Sequence, residues 1–190
     1  MFFCKKIRGI LTLMKESSSE LKKTKSLTNL ALLAALNIIM GSLFIELSSI
    51  LRIGFSFIVV GVSAMLYGPV ATGVVGVLAD ILKYMIRPSG VFFIGFTVNE
   101  FLSGFLSGLI LYKKHVTIKR TFFARLVVMV TVNLILTPIW LSILYGKGIM
   151  IYVSARIVKN IILLPIETIV LYGILKKVET VKKITYKNNK

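Results

Sequence analysis

Arg156, Lys159 and Asn160 stand at the start of an apolar run that continues to Glu167. Positions 156 and 160 share one helical face and 159 lies beside them. A cation placed where a helix enters a bilayer is costly unless it snorkels, pairs, or lines a wet cavity. Two cations and an amide on one face therefore suit an anionic small molecule held near a membrane surface. Tyr145-Gly146-Lys147-Gly148 stops the preceding apolar run, so the cationic group follows a helix break.

Other groups are expected at the same membrane side. Arg52, Arg87 and Lys147, with Lys83, offer partners for carboxylates. Asp80, Asn99, Glu100, Asn133, Thr137 and Asn160 can orient a heterocycle by paired hydrogen bonds. Phe96, Trp140 and Tyr145 supply stacking faces next to polar Thr97. Each has a plainer reading, since a lysine can snorkel and an aromatic can pack on lipid or on a neighbouring helix.

The single cysteine, Cys4, excludes an internal disulfide, and with the single histidine, His115, it leaves no zinc or iron ligand cluster. Neither a phosphate-binding GxxxxGK[ST] loop nor a dinucleotide GxGxxG loop occurs. His115 falls in a Lys-Lys-His turn away from the polar cluster, which removes a histidine-based triad. No catalytic residue, metal or cofactor is expected, and an acid pair of Asp80 with Glu100 is the one enzymatic alternative.

The elements that position these residues are membrane helices. The 190-residue chain is 56% hydrophobic, and its mean hydropathy of +0.88 fits an integral membrane protein. Its formal charge of +17 comes from 24 basic and 7 acidic residues gathered in short clusters. Such clusters at helix ends follow the positive-inside rule and require no nucleic acid. Six spans are predicted, at about Leu27 to Leu47, Ile53 to Leu66, Val70 to Ile86, Phe92 to Tyr112, Phe122 to Leu144 and Arg156 to Leu175. A polar break covers 48–52, Tyr67-Gly68-Pro69 makes a tight turn, and Ile149 to Val153 forms a re-entrant or interfacial piece.

The predicted fold is thus an all-α membrane protein of six transmembrane helices with both termini cytoplasmic. Residues 1–25 form a basic extension, interfacial or disordered, 26–177 the transmembrane domain, and 178–190 a basic tail. That orientation puts 17 basic residues on the cytoplasmic side: 7 before the first helix, 4 in the loop after the fourth and 6 after the sixth. Ala31, Ala34 and Ala35 form a small-residue seam on the first helix, suited to close approach by another helix of this chain or of a partner.

Several motifs in order resemble the membrane-embedded substrate-binding components of energy-coupling factor (ECF) vitamin transporters, specifically the folate type. They are Ala31-Leu-Leu-Ala-Ala35, Leu51-Arg-Ile-Gly-Phe-Ser-Phe57, Leu66-Tyr-Gly-Pro69, Leu78-Ala-Asp-Ile-Leu82, Ile94-Gly-Phe-Thr97, Trp140-Leu-Ser-Ile-Leu-Tyr-Gly-Lys147, Arg156-Ile-Val-Lys-Asn160 and Leu164-Pro-Ile166. The family pattern has proline where this chain has Ile94, and commonly glutamine where it has Glu167. The resemblance implies capture of folate outside a bacterial cell membrane, with ATP hydrolysis left to two partner ATPases. It also assigns Ala31 and Ala35 to contact with a transmembrane coupling (T) component. Arg156 and Lys159, with Arg52, Arg87 or Lys147, are then expected on the glutamate carboxylates, and Asp80, Asn99 or Asn133 on the pterin. The alternatives are another heterocyclic vitamin, such as thiamine, riboflavin or a queuosine precursor, and a membrane assembly protein without a ligand.

Overall fold

The computed structural model describes residues 2–48, 51–86, 91–146 and 148–188. Helix α1 (Phe2–Glu20) is followed closely by α2 (Thr24–Ser42). The extension, expected to be interfacial or disordered, holds a helix that is longer at both ends than its apolar piece, Ile7 to Met14. Nor does α2 continue to Leu47. Residues 45–48 alternate apolar and polar, a strand period, and belong to β1 (Phe44–Ser48), paired antiparallel with β2 (Leu51–Gly54). Where a plain polar break is expected, the otherwise all-helical chain has a short hairpin whose register sets Glu46 opposite Arg52.

Helix α3 (Ser56–Ile86) bends back on itself at Gly68. Ser63 and Thr72 hydroxyls lie 3.2 Å apart, and Lys83 Nζ donates to Ser56 Oγ at 3.4 Å. A straight helix would separate residues 56 and 83 by about 40 Å, so the arms 56–67 and 69–86 are antiparallel. Gly68 makes the corner with φ 83°, ψ −171°, a backbone region open chiefly to glycine, and Pro69 starts the second arm. The tight turn expected at Tyr67-Gly68-Pro69 is present.

The second arm packs on α4 (Ile94–Leu111) nearly backbone to backbone. A Cβ on Gly76 would lie 2.7 Å from the Glu100 carbonyl oxygen, and one on Gly104 the same distance from that of Thr72. Small residues thus set the helix spacing, as in other membrane seams. Thr117 caps α5 (Ile118–Val128), accepting from Arg120 N at 3.4 Å. The α5 helix runs on through a π-wound segment, Met129–Leu136, into α6 (Thr137–Tyr145), where Gly146 ends it in a left-handed conformation.

Helix α7 (Ile149–Asn188) is continuous. The separate piece expected at Ile149 to Val153 is its first turn, and the tail expected from residue 178 is helical to Asn188. One apolar core joins Ala64, Met65, Leu111, Ala124, Leu171 and Leu175. A smaller one joins Leu30, Ala34, Ala71 and Val75. Among the described residues, five helical stretches are long and apolar enough to cross a membrane: Thr24–Ser42, Ser56–Ile86, Ile94–Leu111, Ile118–Tyr145 and Tyr152–Ile184. Outward-facing Leu32, Met85, Ile94 and Ile169 are each more than 60% exposed, which suits contact with lipid tails rather than water.

Candidate functional site

One stripe of α7 carries Arg156, Asn160, Leu163 and Glu167, spaced by three or four residues, with Lys159 alongside. It lines a cavity of about 280 Å³, near the lower end of small-molecule sites. Facing it are Asn133 from the π-wound segment, Arg125 and Val128 from α5, Glu100 and Ser103 from α4, and Gly54, Ser56, Phe57 and Val60 from the hairpin and first arm of α3. From Arg156 to Glu167 is about three turns, or roughly 16 Å along the helix. The cavity has length as well as volume.

Its two ends differ. At the Glu167 end the Arg125 guanidinium pairs with the Glu167 carboxylate, and it lies over the Phe57 ring at 5.0 Å. Arg125 is 9% exposed. Burying that cation is tolerable only because acid and ring meet it. At the other end Arg156 and Lys159, three residues apart on α7, bring two positive charges to the cavity. No acidic side chain pairs with Arg156 among the described residues. Between the ends, Asn133 Nδ2 and Asn160 Oδ1 are 3.5 Å apart, the outer limit of a hydrogen bond. The carboxylate of Glu100 has no hydrogen-bond donor among the described residues.

Of the residues singled out by sequence, Arg156, Lys159, Asn160, Asn133 and Glu100 line this cavity. Asn99, Thr137, Trp140, Thr97, Asp80 and Phe96 do not, and each is engaged within the protein. Asn99 Nδ2 donates to Thr137 Oγ1 at 3.1 Å, and Asn99 Oδ1 accepts from Trp140 Nε1 at 3.1 Å, so both ends of the amide join α4 to α6. Thr97 donates to Asp80 Oδ2 at 2.7 Å, tying α4 to α3. Phe96 packs edge-on to Phe93 at 5.9 Å, and Phe93 in turn touches Trp140.

Tyr145 is 58% exposed at the end of α6. Arg52 is in β2, two positions before cavity-lining Gly54, whereas Arg87 and Lys147 fall outside the described residues. Ala34 is buried at 8% against α3 while Ala31 and Ala35 face outward. The outward seam is therefore narrower than the three alanines suggest. Sequence reasoning left out Arg125, Glu167 and Ser103 as site residues. The available signal was Arg125 as the lone charge of the span expected at Phe122 to Leu144 and Glu167 as the lone acid of the span expected at Arg156 to Leu175, which is a reason to pair them.

A bundle of apolar helices enclosing an elongated cavity with two cations at one end defines a membrane-embedded binding protein for an organic anion. Residues 25–175 match the family model of the ECF transporter substrate-specific component, and the chain belongs to that family. It is 38% identical over 159 residues to the folate transporter FolT of Clostridium novyi, covering 84% of this chain and 92% of that one. Over 170 residues it is 28% identical to FolT of Leuconostoc mesenteroides subsp. mesenteroides, covering 85% and 91%. A crystal structure of FolT bound with folic acid superposes with a TM-score of 0.73 at 35% identity, covering 79% of this chain and 92% of that one.

Proposed function

We propose that the chain captures folate at the outer face of a bacterial cell membrane and delivers it inward as the substrate-specific component of an ATP-driven ECF transporter. The observation that carries this reading is the cavity's polarity: Arg156 and Lys159 at one end, hydrogen-bonding groups and a ring toward the other. Folate is built the same way, with two carboxylates on a glutamate tail and a flat, polar pterin at the far end. Arg156 and Lys159 hold the carboxylates by charge-assisted hydrogen bonds, and the outer cations Arg52, Arg87 and Lys147 draw the anion in. Asn133, Asn160 and the Glu100 carboxylate face the heterocycle. The names of the relatives and the folic acid in the FolT structure support the choice of ligand.

In this reading the chain crosses the membrane six times, the two arms of α3 counting separately, with both termini cytoplasmic as the basic clusters favour. It hydrolyses no ATP itself. Two partner ATPases do so, and a T component meets α2 through Ala31 and Ala35, whose small side chains permit close approach. Equilibrium binding of purified protein to folic acid, thiamine and riboflavin tests the ligand, with folic acid alone expected to bind. Binding of another vitamin in its place overturns the assignment, and binding of none favours an assembly role. For the partner, Ala31→Trp should block assembly with the T component while folic acid still binds. Normal assembly would move the interface elsewhere.

A further inference from the structure

No described side chain of α1 lines the cavity, and the helix precedes the matched residues 25–175, yet it is fastened to the bundle. Ser17 is fully buried. Its hydroxyl donates to the Tyr67 carbonyl at 2.7 Å and accepts from Ala71 N at 3.0 Å. It thereby satisfies two backbone groups beside the corner at Gly68, where helical hydrogen bonding is interrupted. Glu16 accepts from Lys113 Nζ at 2.9 Å, which ties α1 to the connection between α4 and α5. These contacts sit in the last turns of α1, while further back Ile10 and Leu11 are 38% and 58% exposed.

The charges at this end do not cancel. Its described acids are already engaged: Glu16 with Lys113, Glu20 with Lys23, and Glu179 with His115 and Lys183. Exposed around them are Lys15, Lys22, Lys25, Lys114, Lys119 and Lys177, none with a carboxylate partner among the described residues. Helix α2, apolar enough to span a bilayer, begins four residues after α1 ends. Connectivity therefore holds α1 at a membrane surface.

We propose that this end of the bundle docks on the anionic phospholipid headgroups of its own membrane, with α1 lying in the headgroup layer. Ile10 and Leu11 dip toward the acyl chains and the lysine collar holds lipid phosphates. A soluble polyanion such as nucleic acid would use the lysines but gain nothing from exposed Leu11. An interfacial helix uses both.

The test is the full chain carrying Cys4→Ser and Leu11→Cys, spin-labelled at position 11, in nanodiscs of phosphatidylcholine with or without phosphatidylglycerol. The expected result is a label accessible to oxygen and shielded from an aqueous nickel chelate when phosphatidylglycerol is present, and less shielded without it. Each lysine near an anionic surface contributes about fivefold to partitioning. Lys15→Gln/Lys22→Gln/Lys25→Gln should therefore return the label to its phosphatidylcholine value while folic acid binding, the check on folding, persists. Lys114→Gln/Lys119→Gln leaves α1 and its neighbouring turn untouched and should weaken shielding to a smaller extent. Equal shielding in both lipids, or shielding unaffected by either set of substitutions, would overturn the proposal.

Discussion

The seam between α3 and α4 and the cavity between α5 and α7 solve opposite problems within one bundle. At the seam, Gly76 and Gly104 let backbones approach until an added Cβ would lie 2.7 Å from a facing carbonyl oxygen. Across the cavity, long side chains on α7 reach from Arg156 to Glu167 toward Arg125 and Asn133, with about 280 Å³ left between them. Small residues serve where helices hold each other, and long polar residues where they hold something else. In a bilayer neither role is supplied by hydrophobic burial between helices, so shape governs the first and charge the second.

The comparison breaks most readily at the Arg125–Glu167 pair, which belongs to the cavity wall yet has a structural job. Glu167→Leu strands a buried guanidinium and should cost about 3–5 kcal/mol, read as a fall in thermal stability in detergent. Arg125→Met/Glu167→Leu should recover most of it, and an equally unstable double variant would deny the pair its role. Next in size, Arg156→Ala should cost about 2–5 kcal/mol of folic acid binding, well over tenfold in Kd, with the melting temperature unchanged. Parental affinity in that variant would reject the assignment of the cationic end.

Conversely, Gly104→Ala should cost about 1–3 kcal/mol of stability, because a backbone must move to admit the methyl group. The folded fraction should keep near-parental affinity, and loss of binding without loss of stability would erase the distinction between the two regions. The smallest effect belongs to Glu20, outside both. Hydrogen bonds from Lys23 and Ser26 hold its carboxyl below the ordinary glutamate value. A group depressed on folding stabilises above its unfolded pKa and loses that contribution as pH falls through the folded one. Melting temperature should therefore drop slightly on acidification below the ordinary carboxylate range, and Glu20→Gln should flatten that part of the profile.

Much of this was legible in the sequence. The spacing of Arg156, Lys159 and Asn160 and the cost of charge in a bilayer marked one face of α7 before any coordinates, and Tyr67-Gly68-Pro69 announced its turn. Asn99 shows the limit. Its polarity in an apolar helix says that it needs a partner, but Thr137 and Trp140 compete with any ligand for the same amide, and only the register between α4 and α6 decides. Arg125 and Glu167 are hidden for the same reason, being 42 residues apart on different helices. The hairpin at 44–54 was masked by an apolar run that reads equally as the end of α2. In the same way, Ile149 to Val153, apolar and set just before the charged Arg156, read as a separate piece where α7 simply begins.

The π-wound segment at 129–136 has a consequence for how such a chain tolerates change. A π-wound run closes i→i+5 hydrogen bonds and so holds more residues per turn than an α-helix. Deleting one residue here would let the run rewind as α-helix and leave the elements beyond it nearly in phase, whereas the same deletion in the regular turns of α5 would rotate everything beyond it by about 100°. Asn133 and the Trp140 indole, which now meet Asn160 and Asn99 on different helices, would feel the second loss far more than the first. The winding is thus a reserve of length, and a single-codon deletion should be better tolerated here than on either side.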